Sequence, residues 1–125
     1  MTKIDRKISM NDRIAQIEES LDDDKASDIV TLDIGKQSDF AQRMIIAGGD
    51  SQRQLVAMAY HLKSLFKEWG EESSIQGLET DSGWIVLDGG DIVVHLLVPE
   101  KRDLYSIEKI WSSAFEKVGE TVAVA

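Results

Sequence analysis

The stretch from Ser51 to Gly70 constrains this chain most. Ser51-Gln52-Arg53-Gln54 has the form of a capping box, a serine followed three residues later by a glutamine. Leu55, Met58, Ala59, Leu62, Leu65, Phe66 and Trp69 then recur at helical spacing, and Gly70 supplies a C-terminal stop. A helix with one apolar face must bury that face, and the segments around it show what against. Asp28–Ile34 and Met44–Ala47 are rich in β-branched residues and read as strands. Ser74–Leu78 reads as a weak strand; Trp84–Asp88 and Asp91–Val98 read as strong ones. Gly89-Gly90 reads as the hairpin link between the last two, and Pro99 closes the sheet because it cannot donate to a ladder.

An amphipathic helix is expected before the first strand, capped by Asn11 or Asp12, with Ile14, Ile17 and Leu21 inward. Asp22-Asp23-Asp24 lies at its negative end, an unfavourable placement that predicts fraying there. A last helix is read from Leu104 to Phe115, with Ile107, Ile110 and Trp111 inward. The order predicts a single α/β domain with a mixed five-stranded sheet and flanking helices. Its expected bounds are residues 12–117, between a flexible leader, 1–11, and a flexible tail, 118–125.

Composition removes several function classes. With no cysteine and only His61 and His95, thiolate sites, cysteine nucleophiles and histidine-rich metal centres are excluded. A formal net charge of −9 disfavours broad electrostatic binding of nucleic acid and favours a partner with a basic patch. No apolar run approaches the roughly 20 residues of a membrane-spanning helix, and the basic N-terminal residues lack the apolar core of a secretory signal. A cytoplasmic setting is expected.

Four constellations are candidates for chemistry. Gly48-Gly49-Asp50-Ser51 lies between a strand and a helix, where backbone N–H groups can cradle a phosphate. It lacks the Walker lysine and the G-x-G-x-x-G spacing, so a tight turn with an N-cap is the favoured reading. The aspartates Asp28, Asp33, Asp88 and Asp91 bracket strands and turns but form no D-x-D or D-x-E pair after the glycines, as Mg²⁺-dependent nucleotidyl transfer would need. His95 alternates onto the face of Val93 and Leu97 and reads as a structural histidine; His61 reads as a surface residue. The fourth set is Trp84, Asp88, Asp91, Glu100, Lys101, Arg102 and Tyr105, where aromatics mixed with charge form an interface candidate or merely cover the sheet edge. From Glu79 through Glu108, seven residues are acidic and two basic. That stretch suits a basic partner.

The same residues carry a family resemblance. Ser38-Asp39-Phe40 followed by Met44–Arg53 is similar to the middle motif of the ribosomal silencing factor family, RsfS or Iojap-like. Trp84–Asp88, then Gly90-Asp91-Ile92-Val93-Val94-His95, then Glu100, Arg102, Tyr105, Glu108 and Trp111 resemble its C-terminal signature. The chain departs from the family pattern at Arg43 and at Gly49-Asp50-Ser51-Gln52. The resemblance implies a nucleotidyltransferase-like fold without catalytic carboxylates or cofactor, and a frequent homodimer. It also implies binding to the large ribosomal subunit through ribosomal protein L-fourteen, which blocks joining of the small subunit and lowers translation. On that reading Trp84 is an aromatic anchor, Asp88, Asp91 and Glu100 supply negative charge, and Arg102 and Tyr105 complete the partner-binding set. The competing expectations are a metal-dependent nucleotidyltransferase and a homodimeric scaffold with no ribosomal role.

Overall fold

The computed structural model describes residues 8–35, 41–79 and 81–100. Five strands form one sheet: β1 (Ser27–Asp33), β2 (Arg43–Gly48), β3 (Ser74–Gln76), β4 (Trp84–Asp88) and β5 (Ile92–Leu97). Their order is β1-β2-β5-β4-β3. Only β2 and β5 run parallel; the other three pairings are antiparallel, so the sheet is mixed as expected. Two helices, α1 (Met10–Asp23) and α2 (Gln52–Glu68), complete the described elements. The expected helix at 104–115 and the tail at 118–125 lie outside the described residues, as do most of the leader and residues 36–40.

The α2 signals hold in detail. Ser51 Oγ accepts from the Gln54 N–H at 3.2 Å, while Gln54 Oε1 accepts from the Asp50 N–H at 2.7 Å, one residue before the usual capping-box partner. Leu55, Met58, Ala59, Leu62 and Phe66 are buried. Gly70, at φ +79°, ends the helix in a Schellman motif: its N–H reaches the Lys67 carbonyl, and the Glu71 N–H reaches that of Phe66.

The first helix corrects two expectations. Its cap is Ser9, whose hydroxyl accepts from the Asp12 N–H at 3.1 Å, rather than Asn11 or Asp12. Its acidic end is closed by a second Schellman motif: the Lys25 N–H reaches the Asp22 carbonyl, and the Ala26 N–H that of Leu21. Lys25 takes the left-handed position, φ 67°, that glycine normally fills. The end is also tied to α2, where Gln54 Nε2 donates to the Asp24 carbonyl at 3.0 Å and His61 Nδ1 lies 2.7 Å from Asp24 Oδ2. Because a left-handed lysine is strained, Lys25→Gly is expected to stabilise the fold by about 1 kcal/mol, read as a higher denaturant midpoint.

Both helices pack on one face of the sheet. There Ile17 and Leu21 of α1 and the apolar stripe of α2 meet Ile45, Ala47, Ile85, Leu87, Ile92, Val94 and Leu96. Strand alternation sends Leu32, Met44, Ile46, Val93 and Leu97 to the opposite face, where Ile34 and Ala41 join them in a second buried cluster. The β4–β5 turn differs from expectation by one residue. Gly89 N–H donates to the Ile92 carbonyl at 2.9 Å, so the two-residue link is Gly90-Asp91 rather than Gly89-Gly90. Gly90, at φ +92°, takes the first turn position, where a type II′ hairpin needs glycine. Gly89 faces inward: a Cβ there would lie 2.2 Å from Phe66 Cε2.

Candidate functional site

The sheet divides the residues singled out above. Trp84, Val86 and Asp88 alternate onto the face away from the helices; Trp84 and Val86 pack against the second cluster. His95, between Ile46 and Val86 in the register, lies on the same face. Trp84 Nε1–H donates to His95 Nδ1 at 3.0 Å, with the rings 5.9 Å apart. Burial lowers the His95 imidazole from its ordinary value to about 4, so it is neutral at pH 7. With Nδ1 accepting, the assigned tautomer carries its proton on Nε2. The structural reading of His95 therefore stands, and its role is to hold the indole of Trp84. Trp84 opens β4 and lies beyond the three residues, Val86–Asp88, that pair with β3.

Asp88 is exposed and its Oδ1 accepts the Gly90 N–H at 2.9 Å, the local turn bond expected of a hairpin aspartate. Asp91 lies on the helix side instead. Its Oδ2 accepts from Arg13 Nη2 at 2.6 Å, and Glu71 Oε1 accepts from Arg13 Nη1 at 2.8 Å. Arg13 is buried at 6% exposure, with its guanidinium 5.9 Å from the Trp69 ring centroid. Desolvation opposes its charge, but the two carboxylates outweigh it and raise its pKa. Asp88 and Asp91 are thus neighbours in sequence that serve opposite faces, and they do not converge on one site.

Glu100 is elsewhere again. It lines an open cleft of about 360 Å³ with Asp50, Gln52, Asp81, Ser82, Gly83 and Val98. Gln52 bridges the cleft wall, accepting from the Gly83 N–H at 2.9 Å and donating to the Gly77 carbonyl at 3.3 Å. Among the described residues, no group of three or more His, Cys, Asp or Glu side chains is placed to hold a metal ion. Arg102 and Tyr105 lie outside the described residues.

The glycine turn has packing work to do. A Cβ on Gly48 would lie 2.6 Å from Ser27 Oγ, and one on Gly49 would lie 2.7 Å from Leu55 Cδ2. The Gly49 N–H is bonded to the Leu97 carbonyl, and the Asp50 and Gln54 N–H groups are bonded to side-chain oxygens. These three donors are spent within the fold, which favours the turn-and-cap reading over a phosphate cradle.

Sequence reasoning missed Arg13. It sits on the same line of α1 as Ile17 and Leu21, each four residues on, and all three are buried. The spacing was the available signal, but a cation within it reads as a surface residue unless its partners are known.

The fold defines a small mixed-sheet α/β domain whose sheet face opposite α1 and α2 carries an indole held by a neutral histidine. Among the described residues, no helix is long and apolar enough to cross a membrane. The family model described as ribosomal silencing factor during starvation, RsfS, matches residues 7–124. Ribosomal silencing factor RsfS of Chromobacterium violaceum is 45% identical over 95 residues, covering 74% of this chain and 76% of that protein. Its counterpart from Zymomonas mobilis is 43% identical over 96 residues, covering 76% and 71%. A crystal structure of a Chromobacterium violaceum protein superposes with a TM-score of 0.78 at 38% identity, covering 84% of this chain and 88% of that one. The chain belongs to the ribosomal silencing factor family.

Proposed function

We propose that this chain binds the large ribosomal subunit through ribosomal protein L-fourteen and by its bulk prevents the small subunit from joining. The observation that carries this reading is the family match across residues 7–124. The protein acts in the cytoplasm by position and affinity, without a catalytic step or cofactor, and a homodimer is its free form. Trp84 is the aromatic anchor. Its indole N–H is committed to His95, which fixes the ring's orientation on the sheet. Exposed Asp88, two pleats along the same face, exposed Glu100 at the separate cleft, and Arg102 and Tyr105 are the charged and polar members of the set. Asp91 belongs to the same set, but its bond to Arg13 makes it an electrostatic contributor rather than a direct contact.

Joining of purified subunits, followed by light scattering after the protein is added to large subunits, tests the function. Dose-dependent loss of joining is expected, and normal joining at saturating protein would overturn the reading. In the same assay Trp84→Ala is expected to weaken action about thirtyfold, near 2 kcal/mol, while Trp84→Phe retains most of it. Equal potency of Trp84→Ala and wild type would remove the anchor.

A further inference from the structure

Among the described strands, Trp84 is paired on one side only. It faces Leu97 of β5, but β3 ends at Gln76, opposite Val86, so Trp84 and Ile85 run past its end. A side chain of α2 stands where that strand stops. Gln52 Nε2 donates to the carbonyl of Gly77, the residue after β3, at 3.3 Å. Gln52 Oε1 accepts from the N–H of Gly83, the residue before Trp84, at 2.9 Å. One carboxamide therefore joins the two ends of the β3–β4 link, which takes a donor and an acceptor on the same planar group. Both ends are glycines with positive φ, +99° at Gly77 and +74° at Gly83. Gly77 comes so close that a Cβ there would lie 2.5 Å from the Trp84 carbonyl oxygen. Gly83 is also held from the end of β5, its carbonyl accepting the Val98 N–H at 2.9 Å. Gln52 itself opens α2, whose Leu55, Met58 and Phe66 are locked in the core. The backbone that enters β4 at Trp84 is thus tied to a rigid helix.

We infer that Gln52 is a positioning residue for Trp84. Its carboxamide sets where β4 begins, and so where the indole stands before His95 fixes its orientation. The inference rests on the ribosome-binding reading above, in which Trp84 is the anchor. Gln52 acts through Gly83 and Trp84, not by touching the partner. An anchor contributes most in a closely fitting pocket, so a shifted ring costs affinity without the loss of a contact residue.

Gln52→Met tests this, because it keeps the length of the side chain and removes its donor and acceptor. In the subunit-joining assay it is expected to weaken action about fivefold under conditions where the variant is fully folded. In the Trp84→Ala background the same change is expected to cost less than about twofold, because no ring remains to be placed. No loss in the wild-type background, or equal losses in both, would overturn the inference. Indole N–H resonances give a readout that stability alone does not move. The chain has three tryptophans, and Trp84→Phe identifies the signal of Trp84. Gln52→Met is expected to shift that signal, to leave that of Trp69 in place and to speed exchange of the Gly83 amide about tenfold. Faster Gly83 exchange with an unmoved Trp84 signal would overturn the positioning role. A wild-type chain that leaves joining intact would overturn the ribosomal reading alone, since the Trp84 signal still decides whether Gln52 places the ring.

Discussion

Gly89→Ala is expected to lower stability by about 3 kcal/mol, the upper end of what overpacking a well-filled core costs. The added methyl would lie 2.2 Å, 2.7 Å and 3.0 Å from three carbons of the Phe66 ring. That ring is fully buried on α2 and 4.9 Å from Trp69, so it has little room to retreat. Urea unfolding should show the loss as a midpoint lower by about 1–2 M, given the slopes usual for small domains. Shortening the ring tests the cause. Phe66→Leu alone opens space and costs about 1 kcal/mol, but in the Gly89→Ala background it relieves the clash, so the double variant should lose less than the two singles together. Additive losses would mean that the turn, not the ring, absorbs the strain. Gly90→Ala separates sterics from backbone conformation. Its Cβ meets nothing within 4 Å, and its expected cost of about 1 kcal/mol comes from the positive φ alone.

The turn connects packing to the proposed surface. Gly89 lies between Asp88, on the face of Trp84, and the Gly90-Asp91 link that reaches Arg13 on the other side. A residue with a side chain at 89 would push the hairpin end away from α2 and so disturb both. Reading the sequence alone placed glycines here but put the link one residue early, because Gly89-Gly90 looks like a turn whichever glycine does the turning. The difference lies in Phe66, which is distant in sequence and leaves no mark near the glycines.

The same contrast runs through the molecule. Local signals were legible: the Ser51 cap, the α2 stripe, the Gly70 stop, and the alternation that puts His95 with Val93 and Leu97. Each depends on neighbours a few residues away. The end of α1 was misread because Lys25 fills a position where glycine would have announced a Schellman motif, and because its support comes from Gln54 and His61 on another helix. The candidate surface was half legible. Trp84 and Asp88 share a face by strand alternation, which a sequence shows. Asp91 left that face for Arg13, a pairing across 78 positions that a sequence does not show.

Acidification is the other large effect, and His95 is its source. The imidazole has an ordinary value of 6.5 and one of about 4 in the fold, where burial disfavours the charged form. Between those values the unfolded chain binds a proton that the native one refuses, so native stability falls as pH falls. Above about 6.5 both states are neutral and the term vanishes; below about 4 both are charged and the loss is complete. At pH 4.5 the loss from this one group is about 2.5 kcal/mol. His95→Gln keeps an acceptor for Trp84 Nε1–H and removes the titration. Denaturant unfolding at pH 7 and pH 4.5 should therefore show a pH loss about 2.5 kcal/mol smaller in the variant than in wild type. Equal losses would mean that the histidine meets solvent when charged, and that the Trp84–His95 contact opens without unfolding. That second outcome has its own signature, because a protonated Nδ1 can no longer accept from the indole. Trp84 would then turn on a side-chain timescale, and its fluorescence would change with pH while the fold stayed intact. The proposed anchor role of Trp84 then depends on pH through one hydrogen bond, and Trp84 fluorescence against unfolding separates release of the indole from loss of the domain.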